Sequence, residues 1–285
     1  MEKLKVLDLF SGIGGFSLGL DRTGGFETVA FCEIEDFPRR VIAKHWPDVP
    51  CHKDVTELRG EDVGEIDVIC GGFPCQDISV AGRGAGIDGN RSGLWRQYAR
   101  LIGELRPRYV IVENVSALLG RGLGRVLGDL AALGYDAEWH CIPASAVGAP
   151  HQRDRIWIVA YSNCRNGEPV AGERPRIWSA VSWEGTNTNA CGSGIEQKTV
   201  ADTERFRQPR QRKSFISVSE APIINRQAID AFASSIGNIW GAEPNVGRVA
   251  DGVPMRMDRL KSLGNSIVSQ IAEAIGNAIL DHMKW

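Results

Sequence analysis

The sequence lacks the cysteine pattern of a disulfide scaffold or a zinc ribbon. Its 285 residues include 7 cysteines, which is an odd number, and no two of them are spaced as Cys-x-x-Cys. Secreted disulfide frameworks and structural zinc sites are built on such pairs. We therefore expect no metal site, and a reducing compartment in which the thiols stay free.

The chain also lacks an excess of charge and a long hydrophobic run. It has 33 Lys and Arg against 35 Asp and Glu, so its net charge of −2 gives no general attraction to nucleic acid. No stretch approaches the 18 apolar residues of a membrane span, and the first residues do not resemble a signal peptide. These absences predict a cytoplasmic protein without a membrane partner.

Glycine is present in excess. The 33 glycines are about 12% of the chain, against a usual 7% or so, and neither a collagen period nor a Gly/Ser linker accounts for them. Such glycines indicate unusual backbone angles or close approach to another group. The hydrophobic content of 43% is enough for a core, and the length fits two domains or one domain with an insertion.

Apolar runs alternate with helical patterns over residues 1–161. The predicted strands are Lys5–Phe10, Thr28–Glu33, Asp67–Cys70, Tyr109–Glu113, Ala137–Ile142 and Arg155–Tyr161. The predicted helices are Gly15–Asp21, Asp36–Trp46, Leu94–Leu105 and Leu123–Leu133. This order is typical of βαβ units, so we expect an α/β fold with a mixed, mostly parallel sheet.

The pattern changes after residue 161. Residues 162–248 are polar and without a clear period, which predicts an irregular, partly β insert. Isoleucines at 267, 271, 275 and 279 then recur every four residues, as on an amphipathic helix. We predict a sheet domain over 1–161, an insert over 162–248, and a segment over 249–285 that completes the sheet domain.

The insert contains five basic residues within nine positions and no acidic residue among them. They are Arg205, Arg207, Arg210, Arg212 and Lys213. Two interpretations stay open, a solvated surface and a surface that contacts phosphates.

A glycine-rich turn follows the first predicted strand. Residues 8–16 read D-L-F-S-G-I-G-G-F, and the start of a helix after such a turn can bind a carboxylate or phosphate. Glu33 ends the second strand, at the spacing where an acid takes ribose hydroxyls, and Asp54 follows a third possible strand and could accept from an adenine amino group. The set favours an adenosine-type cofactor, although the turn alone could be a tight connection, and it lacks the full G-x-G-x-x-G spacing of NAD sites.

A second motif, G-G-F-P-C-Q-D-I-S, begins at Gly71 and places Cys75 after a proline at the carboxyl end of a strand. Open α/β sheets bind ligands at that edge, so Cys75 is a candidate nucleophile. The alternative is a small apolar filler, as free cysteines often are, but such fillers belong in strands and helices rather than in a glycine-rich loop.

Two further motifs deliver charge to the same edge. Glu113 follows four apolar residues, and burial there would raise its pKa so that it holds a proton near neutral pH. Arg153 and Arg155 alternate at a strand start, so they would share a face and serve one anion or carbonyl. The alternatives are a helix-capping glutamate and a surface arginine pair.

These motifs, in this order and together with Gly264-Asn265-Ser266-Ile267, resemble the DNA (cytosine-5) methyltransferases, and compact bacterial or phage members in particular. The resemblance covers about residues 4–161 and 254–283, and it departs from the family at His151, where many members have glutamine. It implies a Rossmann-like methyltransferase fold, S-adenosylmethionine as cofactor with S-adenosylhomocysteine as product, and a flipped-out cytosine in double-stranded DNA.

The resemblance also implies roles for individual residues. Cys75 would attack C6, Glu113 would act at N3, Arg155 would contact O2, and Arg153 would lie near Cys75 or the DNA backbone. The implied cofactor residues are Phe10, Ser11, Gly12, Ile13, Gly14, Gly15, Glu33, Ile34, Asp54, Val55, Gly72, Pro74, Leu94, Asn265 and Ser266. The implied DNA contacts are Gln76, Ser79, Arg83 and Arg91 in the loop after Cys75, together with the five basic residues of the insert. The insert as a whole would read the DNA sequence in the major groove.

Three other interpretations compete with this one. They are a DNA-binding relic without turnover, an RNA cytosine methyltransferase on the same scaffold, and a dinucleotide oxidoreductase. The intact Cys75, Glu113 and Arg155 argue against the relic, and the oxidoreductase explains neither P-C-Q nor E-N-V. We further expect a monomer, acting in the cytoplasm of a bacterium or a phage-infected cell, with a cognate restriction endonuclease as a possible partner.

Overall fold

A computed structural model describes residues 2–74, 93–162, 164–165, 168–169, 177 and 255–283. Its centre is a seven-stranded sheet in the order β3-β2-β1-β4-β5-β7-β6. The strands are β1 Leu4–Leu9, β2 Phe26–Cys32, β3 Cys51–His52, β4 Val68–Gly71, β5 Tyr109–Val115, β6 Tyr135–Ile142 and β7 Arg155–Ser162. Strands β1 to β5 pair in parallel, and β7 pairs antiparallel with both β5 and β6. The mixed, mostly parallel sheet is thereby confirmed.

Helices cover both faces of this sheet. The described α-helices are α1 Gly15–Arg22, α2 Asp36–His45, α3 Gly93–Leu105, α4 Leu118–Arg121, α5 Leu123–Ala132, α6 Arg256–Asn265 and α7 Ser269–His282. Short 3-10 turns occur at Gly60–Asp62 and Ala144–Val147. Each of the six predicted strands and four predicted helices is present, with ends within two residues of the prediction.

Two apolar clusters flank the sheet because side chains alternate along each central strand. On β5, Val110 and Val112 face a cluster with α3 and α5, whereas Ile111 faces a cluster with α1 and α7. The central strands are buried on both faces, as expected where helices cover a parallel sheet.

Helix α7 lies close against α1 because two glycines leave room for it. A Cβ at Gly19 would come within 2.2 Å of the Ser269 carbonyl oxygen, and one at Gly15 within 2.8 Å of the Ile267 side chain. The C-terminal segment thus packs directly on the first helix of the sheet domain. The division of the chain at residues 161 and 248 stays a prediction.

Only the first part of the predicted insert belongs to the described residues. There, β8 Cys164–Arg165 pairs antiparallel with β9 Glu168–Pro169. Within the portion that the structure describes, no helix has the length and apolar character required to cross a membrane.

Candidate active site

A cavity of about 470 Å³ opens where the parallel strands end. Its walls come from the turns after β1, β2, β3, β4 and β5, from the start of α3, and from α6. Ten of the predicted cofactor residues line it: Phe10, Gly12, Glu33, Ile34, Asp54, Val55, Gly72, Pro74, Leu94 and Asn265. Glu113, Arg153 and Arg155 line the same cavity.

The turn after β1 brings backbone N–H groups to one end of the cavity, which we call the cofactor end. Phe10, Gly12 and Gly14 have positive φ angles of 53°, 55° and 83°, so the chain reverses tightly between β1 and α1. A Cβ at Gly12 would meet nothing within 4 Å, which leaves space beside the backbone for a ligand. The Ser11 hydroxyl stabilises the turn by donating to the Asp8 carbonyl and accepting from the Cys32 N–H.

Glu33 stands beside this turn with its carboxylate fixed by backbone donors. One oxygen accepts from the Gly12 N–H at 2.7 Å, and the other accepts from the Glu35 N–H at 2.8 Å. Its side chain is held at the cavity wall, where its remaining lone pairs can accept from a ligand's hydroxyl groups.

Asp8 lies buried beneath the turn. Its Oδ2 accepts from the hydroxyl of Ser17 at 2.8 Å and from the Ser17 N–H at 3.3 Å, which caps α1 from a neighbouring strand. Burial raises the pKa of Asp8 from 3.8 to about 8, against the lowering effect of the Ser17 hydrogen bonds.

Asp54 and Val55 are fixed by local turns and by α3. The Asp54 carboxylate accepts from the backbone and hydroxyl of Thr56, and these hydrogen bonds lower its pKa. Arg100 on α3 donates to the carbonyl oxygens of Val55 at 3.0 Å and Leu58 at 2.7 Å. The hydrogen bonds of Arg100 therefore connect the part of the wall that contains Asp54 to α3, which begins at Gly93.

Glu113 and Arg155 form an ion pair in another part of the cavity wall, which we call the base end because the sequence predicts the target base there. Arg155 Nε lies 3.0 Å from Glu113 Oε1, and Glu113 is 8% exposed. Burial raises the pKa of Glu113 from 4.5 to about 7, although the charges of Arg155 and Arg153 oppose the rise. The predicted elevation is confirmed, and Glu113 can hold a proton near neutral pH.

Glu113 and Asn114 pack against the first residues of the second motif, which begins at Gly71. A Cβ at Gly72 would lie 2.8 Å from Glu113 Oε2, and the Asn114 side-chain amide donates to the Phe73 carbonyl at 3.1 Å. These contacts fix the backbone immediately before residue 75.

Arg153 differs from its prediction. It precedes β7 in a left-handed conformation with φ of 45°, so it does not share a strand face with Arg155. Its Nη1 and Nη2 donate to the carbonyl oxygens of Gly264 at 2.8 Å and Ser266 at 2.6 Å. The strand begins only at Arg155 because β5 pairs with β7 from that residue onward.

Five predicted cofactor residues lie behind the cavity wall. Ser11, Ile13, Gly14, Gly15 and Ser266 are absent from its lining. Gly14 instead gives clearance to the Trp46 ring, and Gly15 to Ser266 and Ile267. Sequence motifs mark these positions, but only packing distinguishes a residue that supports the wall from one that lines it.

The cavity also has lining residues to which the sequence analysis assigned no role. They are Cys32, Glu35, Phe37, Pro38, Lys53, Phe73, Asn114, Val115, Asp258, Lys261, Ser262 and Gly264. Lys261 on α6 lies 2.9 Å from the Glu35 carboxylate across the cavity mouth. Some of these flank a predicted residue in sequence, as Asn114 flanks Glu113, whereas Lys261 gave no signal.

The remaining predicted residues lie outside the described part of the chain. These are Cys75, Gln76, Ser79, Arg83, Arg91, Arg205, Arg207, Arg210, Arg212 and Lys213. Among the residues that the structure describes, no group of three His, Cys, Asp or Glu side chains could hold a metal ion.

Similarity to known proteins agrees with this geometry. A family model described as "C-5 cytosine-specific DNA methylase" matches residues 4–226. The type II methyltransferase M2.BsuMI of Bacillus subtilis is 37% identical over 165 residues, or 55% of this chain and 42% of the relative. The type II methyltransferase M1.ScrFI of Lactococcus lactis is 37% identical over 163 residues, or 56% and 42%. The match thus spans less than half the length of these curated relatives.

A solved structure of a known protein has a similar fold. The Entamoeba histolytica methyltransferase EhMeth superposes with a TM-score of 0.61 at 15% identity, covering 100% of both chains. At that identity the likeness shows the fold alone. The family match extends over well more than half of the sequence, and so this chain belongs to the C-5 cytosine-specific DNA methylase family.

Proposed function

We propose that this protein transfers a methyl group from S-adenosylmethionine to C5 of a cytosine that is flipped out of double-stranded DNA. One observation carries the proposal: the same cavity is lined by the glycine turn with Glu33 and by Glu113, which is paired with Arg155 and has a raised pKa. Family membership supports the same chemistry.

The cofactor end suits an adenosine-type ligand. Gly12 leaves open space beside the backbone of the turn, Glu33 offers acceptors for hydroxyl groups, and Asp54 offers a carboxylate in the same cavity wall. Phe10 and Leu94 add apolar surface. S-adenosylmethionine would supply the electrophilic methyl group there.

The base end suits a pyrimidine that must accept negative charge. Cys75 is proposed as the nucleophile whose thiolate bonds to C6 of cytosine and makes C5 nucleophilic. The proton of Glu113 moves to N3 as charge develops, and Arg155 stabilises the charge on O2. Once C5 carries the methyl group, the C5 proton leaves to a base, the Cys75 thiolate is expelled from C6, and the N3 proton returns to Glu113, which restores the aromatic ring and both side chains.

Substrate recognition is assigned to the parts of the chain that follow Cys75 and to the insert. We propose that Gln76, Ser79, Arg83 and Arg91 contact the DNA near the flipped base. The basic residues between 205 and 213 would contact phosphates. A restriction endonuclease partner, a monomeric state and a cytoplasmic location stay predictions.

Bisulfite sequencing of DNA and RNA from cells that express the chain tests the reaction and its substrate together. We expect protected cytosines in one DNA context, and none in cells that express the Cys75→Ala variant. Protection confined to RNA would replace the DNA substrate with an RNA one. Unprotected nucleic acid of both kinds would reject the activity.

Covalent trapping tests the nucleophile. A duplex with 5-fluorocytosine at the site found by sequencing should form a denaturation-resistant adduct only when S-adenosylmethionine is present, because fluorine blocks the final proton loss. A Cys75→Ser variant that formed the same adduct would refute the assignment of Cys75.

A further inference from the structure

Arg153 connects two parts of the cavity wall that lie far apart in sequence. Its two terminal nitrogens reach the carbonyl oxygens of Gly264 and Ser266, which are 111 and 113 residues further along the chain. Gly264 lies near the end of α6, where carbonyls lack intrahelical donors, and a cation there is favourable. Both acceptors flank Asn265, which lines the cavity.

Residues 264–266, which we call the Gly264–Ser266 corner, also lie close to the first turn of α1. A Cβ at Gly15 would lie 2.8 Å from the Ile267 side chain and 3.2 Å from the Ser266 hydroxyl oxygen. The corner therefore lies between the first turn of α1 on one side and the guanidinium of Arg153 on the other. Loss of the Arg153 hydrogen bonds, or of the close packing at Gly15, would let the backbone on either side of Asn265 move.

Arg153 also faces the base end. Its positive charge lowers the pKa of Glu113, while burial and the charge of Arg155 lower the pKa of Arg153 itself. Its backbone has φ of 45°, a conformation that costs free energy for a residue other than glycine and persists where surrounding contacts require it.

We propose that Arg153 is a positioning residue that fixes the Gly264–Ser266 corner, and with it the Asn265 wall of the cofactor end, against the loop that carries Arg155. The proposal rests on the function proposed above. It differs from a role at the nucleophile or the DNA backbone, because both terminal nitrogens are used within the protein.

The test compares Arg153→Ala and Arg153→Lys with Arg22→Ala in the full chain. Arg22 also joins the C-terminal segment to α1, through Glu273 at 3.7 Å, but it does not line the cavity. Binding of S-adenosylhomocysteine is measured by calorimetry, so that it does not depend on turnover. Thermal unfolding of each variant is recorded beside it.

We expect Arg153→Ala to weaken S-adenosylhomocysteine binding about tenfold. Arg153→Lys should weaken it less than Arg153→Ala does, because the lysine ammonium can still donate to some of the same carbonyl oxygens. The KM for S-adenosylmethionine should rise by a similar factor, with kcat changed less than about threefold. Arg22→Ala should bind within about twofold of the parent. If Arg153→Ala does not fold, Arg153→Lys decides the test.

A double variant separates positioning from a diffuse effect on stability. If Arg153 acts through the Asn265 wall, Arg153→Lys should add little to the loss caused by Asn265→Ala. Fully additive losses, unchanged affinity in both Arg153 variants, or a fall in kcat with unchanged affinity would each overturn the proposal.

Two further measurements complete the test. In Arg153→Ala, the fall of kcat at high pH should move to a higher pH, because the variant lacks the charge that lowers the pKa of Glu113. The move should be smaller in Arg153→Lys, which keeps a positive charge. A parent protein that binds no S-adenosylhomocysteine would refute the proposed function, and this proposal with it.

Discussion

The two ends of the cavity each present a buried glutamate near the carboxyl end of a parallel strand, and their surroundings differ. Glu33 is 7% exposed and its carboxylate accepts from two backbone N–H groups. Glu113 is 8% exposed and lies against an arginine, with a pKa raised to about 7. Backbone donors thus orient Glu33, whereas Glu113 lies beside a guanidinium in surroundings that raise its pKa.

The physical reason is the source of the hydrogen bonds. Backbone donors occupy both Glu33 oxygens and orient them, so the side chain is a fixed part of the cavity wall. Glu113 has no such donors among the interactions that determine its pKa, and burial outweighs the nearby arginines. The following predictions test this division between the two ends, in order of decreasing effect.

Glu113→Gln should give the largest loss. We expect kcat to fall at least about 100-fold, because the amide can donate a hydrogen bond but cannot supply a proton. Affinity for S-adenosylhomocysteine should stay within about twofold. Steady-state kinetics and calorimetry measure the two quantities, with the exposed Glu65→Gln as control.

The pH profile sharpens this prediction. Since the pKa of Glu113 is about 7, the active protonated form is lost as pH rises through 7, and kcat of the parent should fall there. Glu113→Gln should lack that descending limb. An unchanged limb in the variant would assign it to another group.

Glu33→Gln should lower the affinity for S-adenosylhomocysteine rather than kcat. The amide has one acceptor oxygen and a donor that opposes the N–H of Gly12 or Glu35, so S-adenosylhomocysteine binding should weaken about tenfold. At saturating cofactor, kcat should stay within about threefold. Glu27→Gln, on the exposed face of β2, is the matched control. A loss of kcat as large as that of Glu113→Gln would remove the distinction between the ends.

Asp8→Asn should give the smallest effect, on stability rather than turnover. The folded state retains the Asp8 proton up to a pKa of about 8, whereas the unfolded state releases it near 3.8, so stability falls as pH rises between these values. The variant lacks this proton difference. Its free energy of unfolding should fall less steeply between pH 5 and 7, by about 1.4 kcal/mol per pH unit.

Denaturant titrations at several pH values measure that slope. Asp36→Asn changes a side chain that is 84% exposed, so its slope should match that of the parent. An Asp8→Asn slope equal to the parent's would mean that Asp8 is ionised in the folded protein, and that the cofactor turn rests on a buried charge.

Motif order and hydrophobic pattern predicted much of the site. The strand ends carry Glu33 and Glu113 because an apolar run that stops at a polar residue marks the edge where parallel strands open. The same logic failed for Arg153, since alternation assumes a regular strand, and the backbone there has a left-handed conformation before β7 starts. Lys261 could not be predicted, because its partner Glu35 lies 226 residues away.

The sequence by itself determined six of the seven strands of the sheet, five of the seven described α-helices and the resemblance to the family, because these depend on local patterns and on motifs of contiguous residues. Only the tertiary structure decided which glycines give clearance, as Gly15 and Gly19 do against the C-terminal segment, and which have open space, as Gly12 does. It also decided which carboxyl groups have a raised pKa, as Glu113 and Asp8 do. Burial and neighbouring charge set that property, and both arise only when distant parts of the chain pack together.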